Sequence, residues 1–400
     1  MSGRSRRGLL LDDAGSLGAA ASPPASTVPR RVGVVFGGPS PEHDVSILTG
    51  LQAVRGLSGA PGVSKVRPLY WTKGGEWFDA TGAVEAAAYA DGAPRGASAL
   101  RLSVGGGAGF SERRGRFGGR DEAVELDALL VCCHGGPGED GTLQGLLDLV
   151  GIPYAGPSAA GAFLGMDKLA FATLCAGAFL PMLPRVPLTE SSDRPDFDGP
   201  YIVKPRFGGS SIGIEVVEDF DTARARLRAN PHLGRGAVLE PYRPDLYDLQ
   251  IAVRSYPTLE LSAIERPLRA SDSAEILGYA DKYVGPEGMT TAPRELPADV
   301  PSELADEIRR SAASVASLVG VRGVARIDFL SDGTGAYVNE VNTIPGSLSR
   351  HLFVNPPVPF TQFLLDLLAE AVTRPAASFS SAGSDGSLLR SAGSIARKLG

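Results

Sequence analysis

The sequence predicts an α/β protein in which a parallel-sheet domain at the N-terminal end is followed by a two-domain part of α+β character. Three observations lead there. From residue 31 onward, short β-branched runs alternate with longer helical stretches, and strand, helix, strand order implies parallel pairing. From Ala237 onward, successive apolar runs suggest an antiparallel sheet, with helices over 301–318 and 359–372. A chain of 400 residues also exceeds one core, since domains usually run to roughly 100–200 residues.

Residues 1–30 are rich in Ser, Ala, Gly and Pro without a sustained period, so they bury too little to offset their ordering entropy and read as a disordered tail. Arg4, Arg6 and Arg7 ahead of Gly8-Leu9-Leu10-Leu11 imitate a signal peptide, but Asp12 and Asp13 cut the apolar stretch short. Val32-Gly33-Val34-Val35-Phe36 is a buried strand that runs into the turn residues Gly37-Gly38. A helix over 46–57 and a strand over 66–71 follow, then a Gly-, Ala- and Arg-rich insertion or long hairpin over 86–120. Residues 128–133 form a second buried strand that ends at His134. Its Cys132 and Cys133 point to opposite sides of the strand, and with Cys175 they make no disulfide framework. Core thiols in a reducing cytoplasm fit them better.

A second unit starts near Gly156, with a helix over 159–176 that contains Gly165-Met166-Asp167-Lys168. Tyr201-Ile202-Val203-Lys204-Pro205 is a strand, Arg206 to Gly213 a glycine- and serine-rich loop, and 214–217 another strand. The expected division is a 1–30 tail, a 31–156 substrate domain, a 157–240 central domain, a 241–374 C-terminal domain and a 375–400 flexible tail, whose 387–399 segment suits a short basic helix. The composition, 43% hydrophobic and 21% charged, is that of a folded globular protein. A net charge of -6 argues against a nucleic-acid partner, because phosphate neutralisation needs clustered Lys and Arg. Apolar runs fall short of the roughly 18 residues of a membrane span, so a cytoplasmic protein is expected.

Phosphate handling comes without a Gly-x-x-x-x-Gly-Lys-Ser/Thr loop. Lys168, Lys204 and the amides of Gly208, Gly209, Ser210 and Ser211 can do that work, since small residues let backbone approach an anion; a plain surface loop is the competing reading. The strongest local signal is Arg326-Ile327-Asp328-Phe329 followed by Asn339-Glu340-Val341-Asn342. Strand alternation puts Arg326 and Asp328 on one face, and Glu340 and Asn342 on one face, with Asp332-Gly333 turning the hairpin between them. Three hard oxygen ligands then converge, a set that suits Mg²⁺, whereas Asp328 alone would read as part of a solvated polar hairpin face. Arg326 beside them can stabilise a transferring phosphoryl group or a tetrahedral oxyanion. At the carboxyl end of the first strand, Glu42 can hold an ammonium group. Helix N-terminal capping is the alternative for Glu42 and His43.

These motifs together resemble the D-alanine:D-alanine ligases, a branch of the ATP-grasp superfamily, over residues 31–370. The resemblance rests on Phe36-Gly37-Gly38 through Glu42-His43-Asp44-Val45-Ser46, on His134-Gly135-Gly136-Pro137-Gly138-Glu139-Asp140-Gly141-Thr142-Leu143-Gln144-Gly145, on Gly165-Met166-Asp167-Lys168, on Val203-Lys204-Pro205 through Gly209-Ser210-Ser211-Ile212-Gly213, and on Arg326 through Asn342-Thr343-Ile344-Pro345-Gly346.

The resemblance implies an N-terminal domain followed by a two-domain ATP-grasp fold, ATP between its two halves, and carboxylate–amine ligation through an acyl phosphate. It implies ATP contacts from Lys168, Lys204, Gly209, Ser211, Lys282, Glu240 and Tyr242, with Asp248 where the family usually has a ribose-binding Glu. It implies that Asp328, Glu340 and Asn342 carry two Mg²⁺ (or Mn²⁺) ions, that Glu42, Ser210 and Tyr283 form a triad orienting the first amino acid, and that His134 lies by that substrate's carboxylate. Arg326 would bind the second substrate and the tetrahedral intermediate. A homodimer is expected by the same analogy, with small-molecule substrates and neither nucleic acid nor membrane as partner. After Pro345-Gly346 the chain departs from the family: Ser347-Leu348-Ser349-Arg350-His351 replaces an aromatic or Met, a Thr and a later Ser, so Gly346, Arg350 and His351 are the expected acceptor-binding positions. The implied activity is the joining of two D-alanines for the cell wall. The alternatives are a specialised amino-acid ligase and a non-catalytic nucleotide-binding module, and the retained Lys204, Lys282, Arg326, Asp328, Glu340 and Asn342 argue against the latter.

Overall fold

The computed structural model describes residues 27–112, 121–268, 293–377 and 379–392. Lys282, Tyr283 and nearly all of the expected N-terminal tail lie outside the described residues.

The first sheet grows from β1 (Arg31–Gly37), whose Val32, Val34, Val35 and Phe36 are fully buried. A strand apolar on both faces belongs at the centre of a covered sheet. Parallel to β1 lie β2 (Lys65–Trp71) and β7 (Ala128–Val131), and β7 pairs in parallel with β8 (Tyr154–Ala155). The expected parallel sheet is therefore present, and antiparallel strands extend it beyond β2: β3 (Trp77–Asp79), β4 (Ser98–Ser103), β5 (Gly109–Glu112) and β6 (Glu122–Ala123). The 86–120 insertion contributes the β4–β5 hairpin to that extension. Cys132 and Cys133 are fully buried but lie just past the end of β7.

Helix α1 (His43–Leu57) packs on β1, and so closely that a Cβ on Gly50 would fall 2.4 Å from the Phe36 ring. Two short helices follow β7, α2 (Gly136–Glu139) and α3 (Thr142–Val150). The helix expected over 159–176 is two helices, α4 (Ala159–Met166) and α5 (Lys168–Gly177), broken at Asp167. The reason is local: Asp167 is extended and its carboxylate accepts the backbone N–H groups of Leu169 and Ala170, starting a new helix.

The second sheet is antiparallel, ordered β11-β10-β12-β9 from β9 (Val186–Leu188), β10 (Tyr201–Pro205), β11 (Glu215–Val217) and β12 (Ala237–Pro241). Helix α6 (Phe220–Ala229) closes its small core through Phe220 and Ala223. The run at Ala237 thus belongs here and not with the later strands, because β12 pairs with β10 and β9.

The third sheet, β15-β14-β13-β16-β17, joins β13 (Tyr247–Arg254), β14 (Glu260–Pro267), β15 (Arg294–Glu295), β16 (Val324–Ser331) and β17 (Ala336–Asn342). Helix α7 (Ser302–Val319) covers it with a stripe of Leu304, Ile308, Ala312, Val315 and Val319 at helical spacing, and Gly320 ends the helix at φ +67°. Ile308→Ala in that stripe should cost about 2–5 kcal/mol. After β17 a 3₁₀ segment (Gly346–Leu352) leads to α8 (Phe360–Thr373), which returns to cover the first sheet at β7 and β8. The first core therefore contains residues from both ends of the described chain, Val32 and Leu368 among them. A short α9 (Ser387–Ala392) lies within the segment expected to carry a basic helix.

Candidate active site

The second and third sheets face each other across a cleft lined by Lys168, Lys204, residues 208–211, Glu240, Tyr242, Asp248, Asp328, Asn339 and Glu340. The register explains one wall. Gln250 of β13 stands opposite Glu265 of β14 and opposite Asp328 of β16, and Asp328 stands opposite Glu340 of β17. Directly paired residues share a face, so Glu265, Gln250, Asp328 and Glu340 form one polar row across four strands. Along β16, Leu330, Asp328 and Arg326 follow one another on that face, with Leu330 and Asp328 lining the cleft and Arg326 beyond them. Arg326 holds Asp328 with two bonds, Nε to Oδ1 at 2.6 Å and Nη2 to Oδ2 at 2.7 Å, and Asn342 Nδ2 donates to Oδ2 at 3.1 Å. The expected convergence of Arg326, Asp328, Glu340 and Asn342 is present in the geometry.

The opposite wall is the glycine-rich loop and β12. Asp167 accepts Nε and Nη2 of Arg206 at 2.8 and 2.6 Å, while Lys168 Nζ donates to the Gly208 carbonyl at 2.6 Å. The Asp-Lys pair of α4–α5 thus pins the start of the loop. Ser210 and Ser211 sit at φ +52° and +58°, a left-handed conformation that costs about 1–2 kcal/mol per non-glycine residue and is held here by tertiary contacts. Burial lowers the Lys168 pKa, with neighbouring Glu340 opposing that shift.

Glu240 is 2% exposed and sits between two cations: Lys204 Nζ donates to its Oε2 at 2.7 Å, and Arg185 Nε to its Oε1 at 2.6 Å. Burial alone would raise this carboxyl, but the two cations outweigh it and hold it down at about 2. Arg185 escaped the sequence reading, because it directly follows the Pro-rich run Leu180-Pro181-Met182-Leu183-Pro184 that carries no period.

Beyond the carboxyl end of β1, Ser210 Oγ donates to Glu42 Oε1 across the chain. The capping alternative for Glu42 fails: it occupies the N-cap of α1 but its side chain makes no capping bond. Gly135 and Gly209 leave room for it, since a Cβ on either would lie 2.2 and 3.2 Å from Glu42 Oε2. His43 is a buried structural residue, bonded to the Gly38 carbonyl at 2.6 Å and the Tyr70 hydroxyl at 3.0 Å.

His134 Nδ1 lies 2.6 Å from the Ile344 carbonyl and Nε2 2.8 Å from Thr49 Oγ1, so Nδ1 carries the proton and Nε2 accepts. Burial, together with Arg326, lowers its pKa to about 4. Next to it Glu139, unassigned by the sequence reading, accepts the N–H groups of Gly135 at 2.9 Å and Ile344 at 2.8 Å and the Thr343 hydroxyl at 3.3 Å. Burial and then the Glu42 charge push its carboxyl up to about 8.

At the far end of the polar row, His351 Nε2 is 3.5 Å and Arg294 Nη1 3.1 Å from the two oxygens of Glu265. Burial would raise Glu265, but His351, Arg294 and Arg326 together lower it. Ser347, Leu348 and Ser349 are all left-handed, at φ +47°, +54° and +48°, and this strained turn after Gly346 directs His351 toward Glu265. Arg350 is not brought to the site; it is exposed and lies over the Phe360 ring at 5.4 Å.

Comparison with known proteins bears on the same residues. The family models described as "D-ala D-ala ligase N-terminus" and "D-ala D-ala ligase C-terminus" match residues 31–157 and 191–356. The D-alanine--D-alanine ligase of Synechococcus sp. (strain CC9605) is 33% identical over 347 residues, covering 81% of this chain and 92% of that protein. That of Mycolicibacterium vanbaalenii is 30% identical over 86% of this chain and 97% of its own length. Among solved structures, the D-Alanine-D-Alanine Ligase from Helicobacter pylori superposes with a TM-score of 0.65 at 24% identity over 85% of this chain and 99% of that one. The VanG D-Ala:D-Ser Ligase from Enterococcus faecalis gives 0.67 at 24% identity over 86% and 99%.

Proposed function

The chain belongs to the D-alanine–D-alanine ligase family, and from that premise we propose what its residues do in joining two D-alanines at the expense of ATP. It is an ATP-dependent ligase of peptidoglycan precursor synthesis, with D-alanyl-D-alanine, ADP and phosphate as products. An amine does not displace an unactivated carboxylate at useful rates. The first D-alanine carboxylate therefore attacks the γ-phosphate, releasing ADP, and the second amine attacks the resulting acyl phosphate and expels phosphate.

ATP takes the cleft between the second and third sheets, with its phosphates toward Lys168, Lys204 and residues 208–211, and its base and ribose toward Tyr242 and Asp248. Asp328, Glu340 and Asn342 suit divalent cations: their donors are hard oxygens, and Asp328 stands opposite Glu340 with Asn342 bonded to it. Two Mg²⁺ or Mn²⁺ ions held there would neutralise phosphate charge. Glu42 and Ser210 hold the ammonium side of the first D-alanine beyond the carboxyl end of β1. His134, neutral and locked between Thr49 and Ile344, fixes the backbone around that substrate. Arg326 and His351 receive the second carboxylate. Closure of the 208–211 loop over the site excludes water from the acyl phosphate. Described helices include none long and apolar enough to cross a membrane, and an enzyme drawing on ATP and D-alanine works in the cytoplasm.

The observation that carries this reading is the polar row Gln250, Asp328 and Glu340 facing Lys168 and Lys204 across one cleft. The test is phosphate release and product mass with ATP, Mg²⁺ and D-alanine alone, then with D-alanine plus D-serine or D-lactate. D-Alanyl-D-alanine from D-alanine alone is the expected product; turnover only with a mixed pair would overturn the assignment of the acceptor. Asp328→Asn should lower kcat by about 10²–10³-fold or more, and full activity would remove the metal assignment.

A further inference from the structure

Arg185 stands where the chain crosses from the third sheet to the second. The Val338 N–H donates to the Pro181 carbonyl at 2.8 Å, so residues 181–185 begin along the outer edge of β17 and lead into β9, on the edge of the second sheet. The Arg185 side chain is 3% exposed and its three nitrogens reach three elements. Nε bonds Glu240 of β12 at 2.6 Å, Nη1 the Lys168 carbonyl at the start of α5 at 3.2 Å, and Nη2 the Asn339 carbonyl of β17 at 3.0 Å. Register accounts for the first contact: Val186 pairs with Leu239, which brings Arg185 beside Glu240. A β-bulge accounts for the third, because β17 skips a residue between the Asp328–Glu340 and Phe329–Val338 pairs and leaves Asn339 outside the ladder.

We propose that Arg185 is a positioning residue for the nucleotide, acting through Glu240 on Lys204 and setting the gap between the two walls of the cleft. The proposal rests on the nucleotide reading of that cleft. Lys168, Glu240 and Asn339, the three residues it binds, all line the cleft. By taking Glu240 Oε1, Arg185 leaves Lys204 to share the other oxygen. An ammonium has three N–H donors and Glu240 uses one, which keeps Lys204 directed at the cleft with donors to offer a phosphate. Without Arg185 the whole carboxylate charge would fall on Lys204 and hold it back from an incoming phosphate, while the Asn339 and Lys168 carbonyls would lose the group that ties β17 and α5 to β12.

The experiment is calorimetric titration of ADP with Mg²⁺ into the full chain as wild type, Arg185→Gln and Arg185→Lys, alongside melting temperatures and separate KM values for ATP and each D-alanine. Arg185→Gln should weaken ADP by about tenfold or more, and Arg185→Lys by roughly three- to tenfold, because lysine keeps a cation but cannot hold three acceptors in a plane. The ATP KM should rise in parallel while both D-alanine KM values hold within about twofold. A merely structural arginine would instead lower the melting temperature and leave the ADP affinity of the folded protein within about twofold of wild type, and that result overturns the proposal. If Arg185→Gln does not fold, Arg185→Lys decides by the same criterion. Failure of the wild type to bind ADP would remove the cleft assignment itself, and the role of Arg185 with it.

Discussion

Glu139, at the end of α2, joins the segment after β7 to residues 343–344, and Glu240 closes the cleft between the other two sheets; they are 7% and 2% exposed, yet their partners differ in kind. Glu139 receives two backbone N–H groups and a hydroxyl, all neutral, and its carboxyl rises to about 8. Glu240 receives a lysine and an arginine, and its carboxyl falls to about 2. Burial raises both; what separates them is whether a full opposite charge follows them into the interior. The ligase thus has one buried acid whose charge is fixed at any working pH and another, at the junction of the first sheet with the third, whose charge varies near neutrality.

The largest effect should come from breaking the charged cluster. Glu240→Gln leaves Lys204 and Arg185 buried beside each other without an anion, and stability to denaturant should fall by roughly 3–5 kcal/mol. Glu139→Gln should cost less, about 1–3 kcal/mol, because it sets one amide N–H against backbone donors while leaving no charge uncompensated. A larger loss from Glu139→Gln than from Glu240→Gln would break the comparison.

Acidity sharpens it next. Glu139 rises from an ordinary 4.5 to about 8, so its stabilising contribution is complete below about 4.5 and is lost as pH climbs through 8. Glu240 falls from 4.5 to about 2, so its contribution is complete above 4.5 and is lost only as pH drops toward 2. His134 falls from 6.5 to about 4, so the neutral fold it belongs to is complete above 6.5 and weakens as pH falls through that window. Between pH 6 and 8, denaturation midpoints of the wild type should decline by the equivalent of at most about 1.4 kcal/mol per pH unit relative to Glu139→Gln. Parallel pH profiles for the two proteins would show that Glu139 is charged throughout.

The same contrast explains what could be read from the sequence. The hairpin from Arg326 to Asn342 was legible because alternation fixes which residues share a face, and β1 because an apolar run ending in Gly37-Gly38 has few other uses. Glu42, Lys168, Lys204 and Ser210 came from motifs, and the structure brings each to the cleft or its rim. Arg185 was illegible because its importance lies in a register and a bulge on strands far away in the chain. Glu265 was missed for a related reason: β13 and β14 slip between Ile251 and Val253, so which face Glu265 takes depends on that irregularity. Asp167 caps a new helix by a local bond that the apolar period concealed, and its ion pair with Arg206, 39 residues on, left no trace in the local pattern. In each case local pattern carried the strand or helix, and a tertiary partner decided the charge.

The smallest effect belongs to a pair that has opposite charges but no burial. Lys73 Nζ lies 3.4 Å from Asp44 Oδ1, with side chains 68% and 74% exposed. Both ions keep most of their water, so forming the pair gains little and breaking it strands no charge. Lys73→Ala should change stability by less than about 1 kcal/mol, and what change there is should vanish in roughly 1 M salt, where the screening length is about 3 Å. A loss here approaching that of Glu240→Gln would mean that pairing, rather than pairing under burial, sets the energies of this molecule; a near-zero value leaves burial as the condition that makes the partner of Glu240 matter.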